Sequence, residues 1–570
     1  MIYRGNAVCR GIVFGKVFIY KKEQIIIEHR NVDQCIVGKE ILRFNSAVIK
    51  AREDIEKIVS LLDRDNANEA KIFKSYADIM CDVEIIKLIH SRIKEKSIIA
   101  EWATEQVYDE FISMFTASSN ELTKSKAVDM KDVRRRLILA LRGETVTGLS
   151  KFSEPVIIVA NDLMPSDTAT IDKERVLAII TETGGETSHT AILAKSFDIP
   201  ALLGVAGISE ILKDGEEVIV DAVEGCLISC PTDEERWYYL EEERKFREKK
   251  LFEQRFLEVD AVSADGIKIH VEANIGSCSE AELKAASYVD GVGLLRTEFL
   301  YMQKNQLPGE NDQYNAYCNI LGAYKGKPVI LRTLDIGGDK KLSGLRLTEE
   351  PNPFLGCRAI RLCFAKPEIF RVQIRAALRA SVFGDLWVMF PMVCSMEDIR
   401  KARAIVESTW EELSKEGIKV ADNIKIGIMI EIPAIALIAD QAVKEVDFAS
   451  IGTNDLCQYL LAVDRMNPQV MEYYQSCHPA MLRIIGNVAD VFRKHGKPLG
   501  VCGEMASQPL QASLLLGLGI NSLSVNIAGI AAIKSLICRS RLEELKRIAD
   551  HCCGLSSAAE VYDYCKEHLI

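Results

Sequence analysis

The segment Lys425-Ile426-Gly427-Ile428-Met429-Ile430-Glu431 decides the fold, together with its near neighbour Phe448-Ala449-Ser450-Ile451-Gly452-Thr453-Asn454-Asp455. Each is a short continuous apolar run closed by a carboxylate. An uninterrupted β-branched run predicts a strand buried on both faces, as in a parallel sheet covered by helices. Working outward, six more such runs follow the same rhythm: Val271–Ile275, Gly291–Leu295, Val329–Leu334, Leu386–Met392, Leu499–Cys502 and Leu523–Ile527. Most are followed by helical spacing. Eight strand-plus-helix units in about 310 residues fit a closed (β/α)8 barrel.

A barrel of this kind carries its chemistry at the C-terminal ends of its strands. Those ends supply Arg296, Arg332, Glu431, Asn454 with Asp455, and Cys502 followed by Glu504, while Arg358 and Arg465 lie in adjoining loops. Any one of them alone reads as a salt bridge capping the barrel. As a set they predict one site. Carboxylate oxygens at Glu431 and Asp455 suit Mg²⁺ rather than zinc. Guanidinium forks hold carboxylate or phosphate oxygens in pairs. The chemistry implied is a small, multiply anionic, phosphorylated substrate that chelates Mg²⁺.

The chain before the barrel changes character twice. Strand signals in the first twenty residues (Val8, Ile12, Phe14, Val17, Ile19) give way, from about Glu23 to Leu141, to helical spacing with no proline and almost no glycine. This predicts a helical insertion of paired antiparallel helices, broken near Ala117–Asn120. Strands resume at Val156–Ala160, Val176–Thr181, Ala201–Val205 and Val218–Val220, an α/β unit that the N-terminal strands can complete. Asp233 to about Val259 is a dense charge run with an apolar stripe (Trp237, Leu240, Phe246), read as a helical linker.

A second candidate site lies in the α/β unit: Thr183-Gly184-Gly185-Glu186-Thr187-Ser188-His189-Thr190-Ala191-Ile192-Leu193-Ala194. Glycine admits an anion close to the backbone, and the N–H groups at a helix start point toward it. The positive helix end disfavours imidazolium, which leaves His189 a lone pair for attack on phosphorus. As isolated text the same residues serve equally well as a histidine that caps a helix.

The 570 residues bring 71 Lys plus Arg against 82 Asp plus Glu, a net charge of −11, with 48% hydrophobic and 27% charged residues. That composition is globular, with room for roughly three to four domains. No basic block suggests nucleic-acid binding. Seventeen cysteines without a CxxC pair, and no leader-like start, predict reduced thiols in a cytoplasmic protein and no structural zinc. The longest apolar stretch, near 426–443, is broken by Glu431, Pro433 and Asp440, so no membrane insertion is expected. No P-loop, GxGxxG after a strand, GxSxG or HExxH motif occurs.

Thr183–Ala194 resembles the phosphohistidine signature of the phosphoenolpyruvate-utilising enzymes, and the run from Ser450 through Tyr459 to Arg465 resembles their second signature. The order of parts, Arg332–Lys340 and Asn352-Pro353-Phe354-Leu355-Gly356 resemble the Enzyme I family of sugar phosphotransferase systems over essentially the whole chain. The resemblance implies a multidomain α/β protein. A swivelling phosphohistidine α/β domain (residues 1–22 and 146–232) would carry an inserted helical bundle (23–145) that docks the carrier protein HPr. A helical hinge (233–258) would lead to a TIM barrel (259–570) that binds phosphoenolpyruvate and forms a homodimer.

By the same resemblance, His189 is phosphorylated through Nε2, with Thr168, Gly184, Gly185, Thr187, Ser188 and Lys195 in support. Arg296, Arg332, Arg358, Asn454, Asp455 and Arg465 bind phosphoenolpyruvate, Glu431 and Asp455 ligate Mg²⁺, and Cys502 protonates the enolate to pyruvate. Departures from the family pattern are Lys195 for Arg or Gly, Glu186 for a frequent Arg, Tyr76 for a His common in the docking region, and Cys457 for Thr. Pyruvate-phosphate dikinases and phosphoenolpyruvate synthases share both signatures but need an ATP-binding domain, for which no motif is visible. A barrel that senses the metabolite without turning it over is the alternative outside catalysis.

Overall fold

The computed structural model describes residues 1–21, 25–62, 67–116, 121–144, 149, 152, 154–164, 167, 171–172, 174–185, 188–302, 307–337 and 350–569. The chain forms two compact units, Met1–Lys249 and Lys250–Ile570, and the divide falls within the helix Asp233–Gln254.

In the first unit, β1 (Ile2–Arg4), β2 (Asn6–Cys9) and β3 (Ile12–Tyr20) join β4 (Val156–Ala160), β5 (Val176–Thr181), β6 (Ala201–Leu203), β7 (Glu217–Asp221) and β8 (Cys226–Ser229) in one sheet. Its order is β1-β8-β7-β3-β4-β5-β6-β2. The strand β3 pairs parallel with β4 from Lys16↔Val156 to Tyr20↔Ala160, so the N-terminal strands do complete the α/β unit. β4, inside the sheet, is buried along its whole length, which is why it reads Val-Ile-Ile-Val-Ala without alternation.

Among the described residues between β3 and β4 run five helices, Val37–Leu62, Ala67–Met80, Val83–Lys96, Ala100–Thr116 and Glu121–Leu141. Their shared core includes Phe44, Ile55, Phe73, Tyr76, Ile89, Tyr108 and Leu137. Asp82 caps the third, its carboxylate accepting from the Glu84 and Ile85 N–H groups. The break expected at Ala117–Asn120 lies outside the described residues.

The helix Asp233–Gln254 has no fully buried residue; along its apolar stripe Trp237 is 73% and Leu240 53% exposed, and Phe246 is half-buried. The pairs Arg244–Glu241, Arg244–Glu248, Lys245–Glu242 and Arg247–Glu243 support it locally instead.

The second unit is a closed barrel of eight parallel strands: β9 (His270–Ile275), β10 (Val292–Arg296), β11 (Pro328–Arg332), β12 (Asp385–Phe390), β13 (Lys425–Ile430), β14 (Phe448–Ile451), β15 (Leu499–Val501) and β16 (Ser522–Asn526). All eight expected strands are present. The ring closes through β16 and β9, from Ser522↔His270 to Asn526↔Asn274. Outward-facing Val271, Ala273, Ile428, Ile430, Ala449 and Ile451 pack on the surrounding helices, while Leu294, Ile330, Met389, Met429 and Phe448 form a smaller apolar cluster with Cys502.

Candidate active site at the C-terminal ends of the barrel strands

The strand period carries alternate residues inward, so residues just past the last inward core layer emerge at the C-terminal mouth. Arg332 ends β11 there, buried, with Nη2 2.8 Å from Glu298 Oε1 and Nη1 3.0 Å from Asp335 Oδ2. Arg358 places Nη2 2.9 Å from Asp335 Oδ1 and Nη1 3.5 Å from Asp455 Oδ1, and also donates to the Tyr459 hydroxyl at 3.3 Å. Arg465 approaches the same Asp455 oxygen at 3.6 Å. Asp335 thus bridges two arginines, and Asp455 bridges two with one of them in common. In both Arg332 and Arg358, Nε is buried and has no hydrogen-bond partner among the described residues.

Glu431 follows β13 and is 1% exposed. Its Oε1 accepts from the Met392 N–H at 2.6 Å, and Met392 adopts φ 58° to present that donor. Its Oε2 is buried with no partner among the described residues. Gly452 makes the close approach possible, since a Cβ there would lie 2.7 Å from Oε2. Burial, with Asp455 and Asp335 nearby, pushes the Glu431 carboxyl up to about 8 against the opposing pull of Arg332 and Arg358.

Asn454 accepts from the Glu504 N–H at 3.1 Å, which ties the start of the helix Thr453–Leu460 to the turn after Cys502. The Cys502 thiol is buried and donates to the Ile451 carbonyl at 3.7 Å. Burial pushes it up to about 11, so it carries its proton at neutral pH. Gly503 is required behind it, because a Cβ would collide with Thr453 Oγ1. Arg296 ends β10 with its side chain exposed into the mouth and no hydrogen bond or ion pair among the described residues. The protein around it and the like charge of Arg332 hold its guanidinium below the usual arginine range.

Of the proposed set, Arg358, Asp455 and Arg465 are linked directly, and Arg332 joins them through Asp335. Glu431 and Cys502 sit within the same charge field, since Arg332 acts on both. The sequence reading missed Glu298 and Asp335, which hold the arginines. Asp335 stands three residues after Arg332, and Glu298 two after Arg296. Both are loop or helix-start positions with no periodicity to mark them.

The other site is built on the helix His189–Phe197. Ser188 caps it, accepting from the Ala191 N–H at 3.2 Å. Gly184 adopts φ 103°, which glycine alone takes without strain, and brings the loop against Ser188. The Ser188 N–H closes the turn on Gly185 O at 2.9 Å. Thr168 and Thr187, with the side chains of His189 and Lys195, lie outside the described residues. Buried Asp167 accepts from the Tyr20 hydroxyl at 2.6 Å and from Arg135 at 3.0 Å, which ties it to β3 and to the helix Glu121–Leu141.

Three family models match the chain: the PEP-binding domain of PEP-utilising enzymes over residues 250–542, their mobile domain over 152–225, and their N-terminal part over 4–126. A phosphoenolpyruvate-protein phosphotransferase of Bacillus sp. (strain S) is 41% identical over 563 residues, covering 99% of this chain and 97% of that protein. The protein of the same name from Bacillus subtilis is 39% identical over 565 residues, 99% of each chain. The chain belongs to the phosphoenolpyruvate-protein phosphotransferase family. A solution NMR structure of Enzyme I (nEIt) is 36% identical to it, covering 43% of this chain and 99% of that one, with a TM-score of 0.38.

Two residues singled out in the sequence have a definite setting in the structure. Tyr76 is fully buried and donates to Asp129 at 3.2 Å, so it supports the helices from inside. Cys457 is buried in the helix that carries Asp455, its thiol pushed up to about 11 by burial. Glu186 lies outside the described residues.

Proposed function

We propose that this chain transfers the phosphoryl group of phosphoenolpyruvate to its own His189 and then to a histidine of the carrier protein HPr, releasing pyruvate, as the first step of a sugar phosphotransferase system. The observation that carries the reading is the gathering of Arg332, Arg358, Arg465, Asp455 and Glu431 at one end of the barrel, with a protonated thiol beneath. Such an array suits a compact polyanion and little else.

Arg296, Arg332, Arg358 and Arg465 bind the substrate's carboxylate and phosphoryl oxygens, and the buried Nε–H groups of Arg332 and Arg358 are donors still to be satisfied. Asn454 orients the substrate. His189 Nε2 attacks phosphorus in line, through a loose transition state, and the bond to the bridging oxygen breaks. The enolate that leaves takes a proton at carbon from Cys502 and becomes pyruvate. Burial, which keeps that thiol protonated, favours its role as acid.

Mg²⁺ fits the residues present. Glu431 Oε2 is a buried oxygen without a partner, and the Asp455 oxygen is reached by arginines only at 3.5–3.6 Å. Among the described residues no group of three or more His, Cys, Asp or Glu could hold a metal. Glu431 and Asp455 would hold it. When bound, it supplies charge neutralisation at the phosphoryl and enolate oxygens.

HPr docks on the helical insertion (residues 23–145), where Leu42, Ile49 and Val83 are exposed apolar groups. The segment 233–258 is the hinge, the barrel (259–570) forms the homodimer, and the protein works in the cytoplasm. No helix among the described residues is long and apolar enough to cross a membrane. Incubation with radiolabelled phosphoenolpyruvate and Mg²⁺ tests the reading. Wild type should take up acid-labile label and His189→Ala none, and label persisting in that variant would place the acceptor elsewhere.

A further inference from the structure

The barrel is hollow at the end opposite the arginine cluster. A cavity of about 620 Å³ opens among the N-terminal ends of the strands, where such barrels are normally filled by layers of side chains. Gly500 lines it, where a Cβ would press to within 3.3 Å of Ser522 Oγ. Trp387 and Phe448 form apolar wall, while Glu272, Ser450, Ser522 and Ser524 bring polar groups to it from three different strands.

Those polar groups lead to Cys502. Ser522 Oγ donates to Glu272 Oε2 at 2.9 Å. Glu272 Oε2 and Ser524 Oγ crowd one point, each 2.5 Å from where a Cβ on Gly293 would stand. Ser524 donates to Asn274 Oδ1 at 2.6 Å, and the Asn274 amide reaches the Cys502 carbonyl at 3.4 Å. Ser450, on the cavity wall, neighbours the Cys502 thiol and favours its thiolate form. The thiol itself is 4% exposed.

A thiol that protonates an enolate must regain its proton before the next turnover. Resting on the role given to Cys502 above, we propose that it is reloaded from this rear cavity: Ser450 passes a proton to the sulfur, and Glu272 supplies it through cavity water. The Ser450 O–H bond breaks as S–H forms. Ser450 Oγ takes a proton from water, that water takes one from the Glu272 carboxyl, and the carboxylate regains one from solvent at the cavity mouth. No electrons change hands.

Burial, with Asp290 nearby, pushes Glu272 up to about 7, and Cys502 stands at about 11, so the transfer to thiolate runs downhill. The groups that face Glu272 are Ser522 and Ser524 from β16 and Asp290 ahead of β10. His270, Asp385, Arg493 and Lys497 line the same cavity. Ser450 and Glu272 are positioning and relay residues and touch no substrate.

Rapid-quench measurement of pyruvate, on the full chain with Mg²⁺, phosphoenolpyruvate and excess carrier, separates the first turnover from later ones. The first uses a proton already on the thiol. In Glu272→Gln and Ser450→Ala the first-turnover rate should stay within about twofold of wild type, while the steady rate falls tenfold or more, with a deeper loss at pH 8.5 than at pH 6.5. Equal loss in both phases would mean a merely structural effect, and no loss in either would mean reloading from the substrate side; each overturns the proposal. Unchanged pyruvate formation in Cys502→Ala would instead remove the thiol as acid, a separate failure of the underlying reading.

Discussion

At the scale of single residues, an acidic side chain at the end of an apolar strand is costly to bury unless something compensates it. Glu431 was legible in the sequence for that reason, and its unpartnered Oε2 is the physical form of the cost. A divalent ion there should stabilise the fold. Adding MgCl₂ should raise the wild-type melting temperature by a few degrees, and Glu431→Gln should abolish that rise and lower phosphoryl transfer at least a hundredfold, read by thermal unfolding and label uptake. Glu298 and Asp335 were not legible, because the arginines they hold meet only after strands distant in sequence have closed into a ring.

Asp129 is a residue-scale case of opposite visibility, polar in the sequence and half-buried against the helices in the structure. Burial first, and then Asp132, raise its carboxyl from 3.8 to about 6. The folded state therefore binds a proton that the unfolded state has lost, and stability declines as pH rises from about 4 to about 6, then levels off. The decline should be about 1–2 kcal/mol after allowance for screening. Hydrogen exchange in the helix Glu121–Leu141 should report it, and Asp129→Asn should flatten the slope.

At the scale of elements, the barrel strands were readable because a parallel strand covered on both faces has no polar positions to interrupt it. Their ends were less so: β12 stops at Phe390, two residues before the expected Met392, because Met392 turns to φ 58° to serve Glu431. The charged helix Asp233–Gln254 was read as an element, yet Trp237 and Leu240 find no cover on it, since a few apolar residues in a run of charge do not make a face. The turn after β15 has no slack. Gly503→Ala should drive Thr453 and Asn454 away from the mouth, costing about 1–3 kcal/mol of stability and at least tenfold in kcat, measured by urea denaturation and pyruvate release.

At the scale of the whole molecule, each unit owns its core: the helical and sheet clusters lie within Met1–Lys249, and the barrel clusters within Lys250–Ile570. Residues 1–258 expressed alone should fold and take phosphate from phospho-HPr, yet stay unlabelled by phosphoenolpyruvate. Labelling of that fragment by phosphoenolpyruvate would undo the division of labour. Pairing β3 with β4 across the helical insertion was legible only as strand signals left over at the N-terminus, because periodicity says which segments are strands and not which ones meet.

At the mouth of the barrel, the guanidinium groups of Arg296, Arg332, Arg358 and Arg465 equal in number the carboxyl groups of Glu298, Asp335, Glu431 and Asp455. With the Glu431 carboxyl pushed up to about 8, the mouth near neutral pH carries a small positive surplus, which a divalent cation displacing that proton would enlarge. Anion and divalent cation should therefore each tighten the other's grip, and titrating either in the absence of the other should give a shallow, weak isotherm.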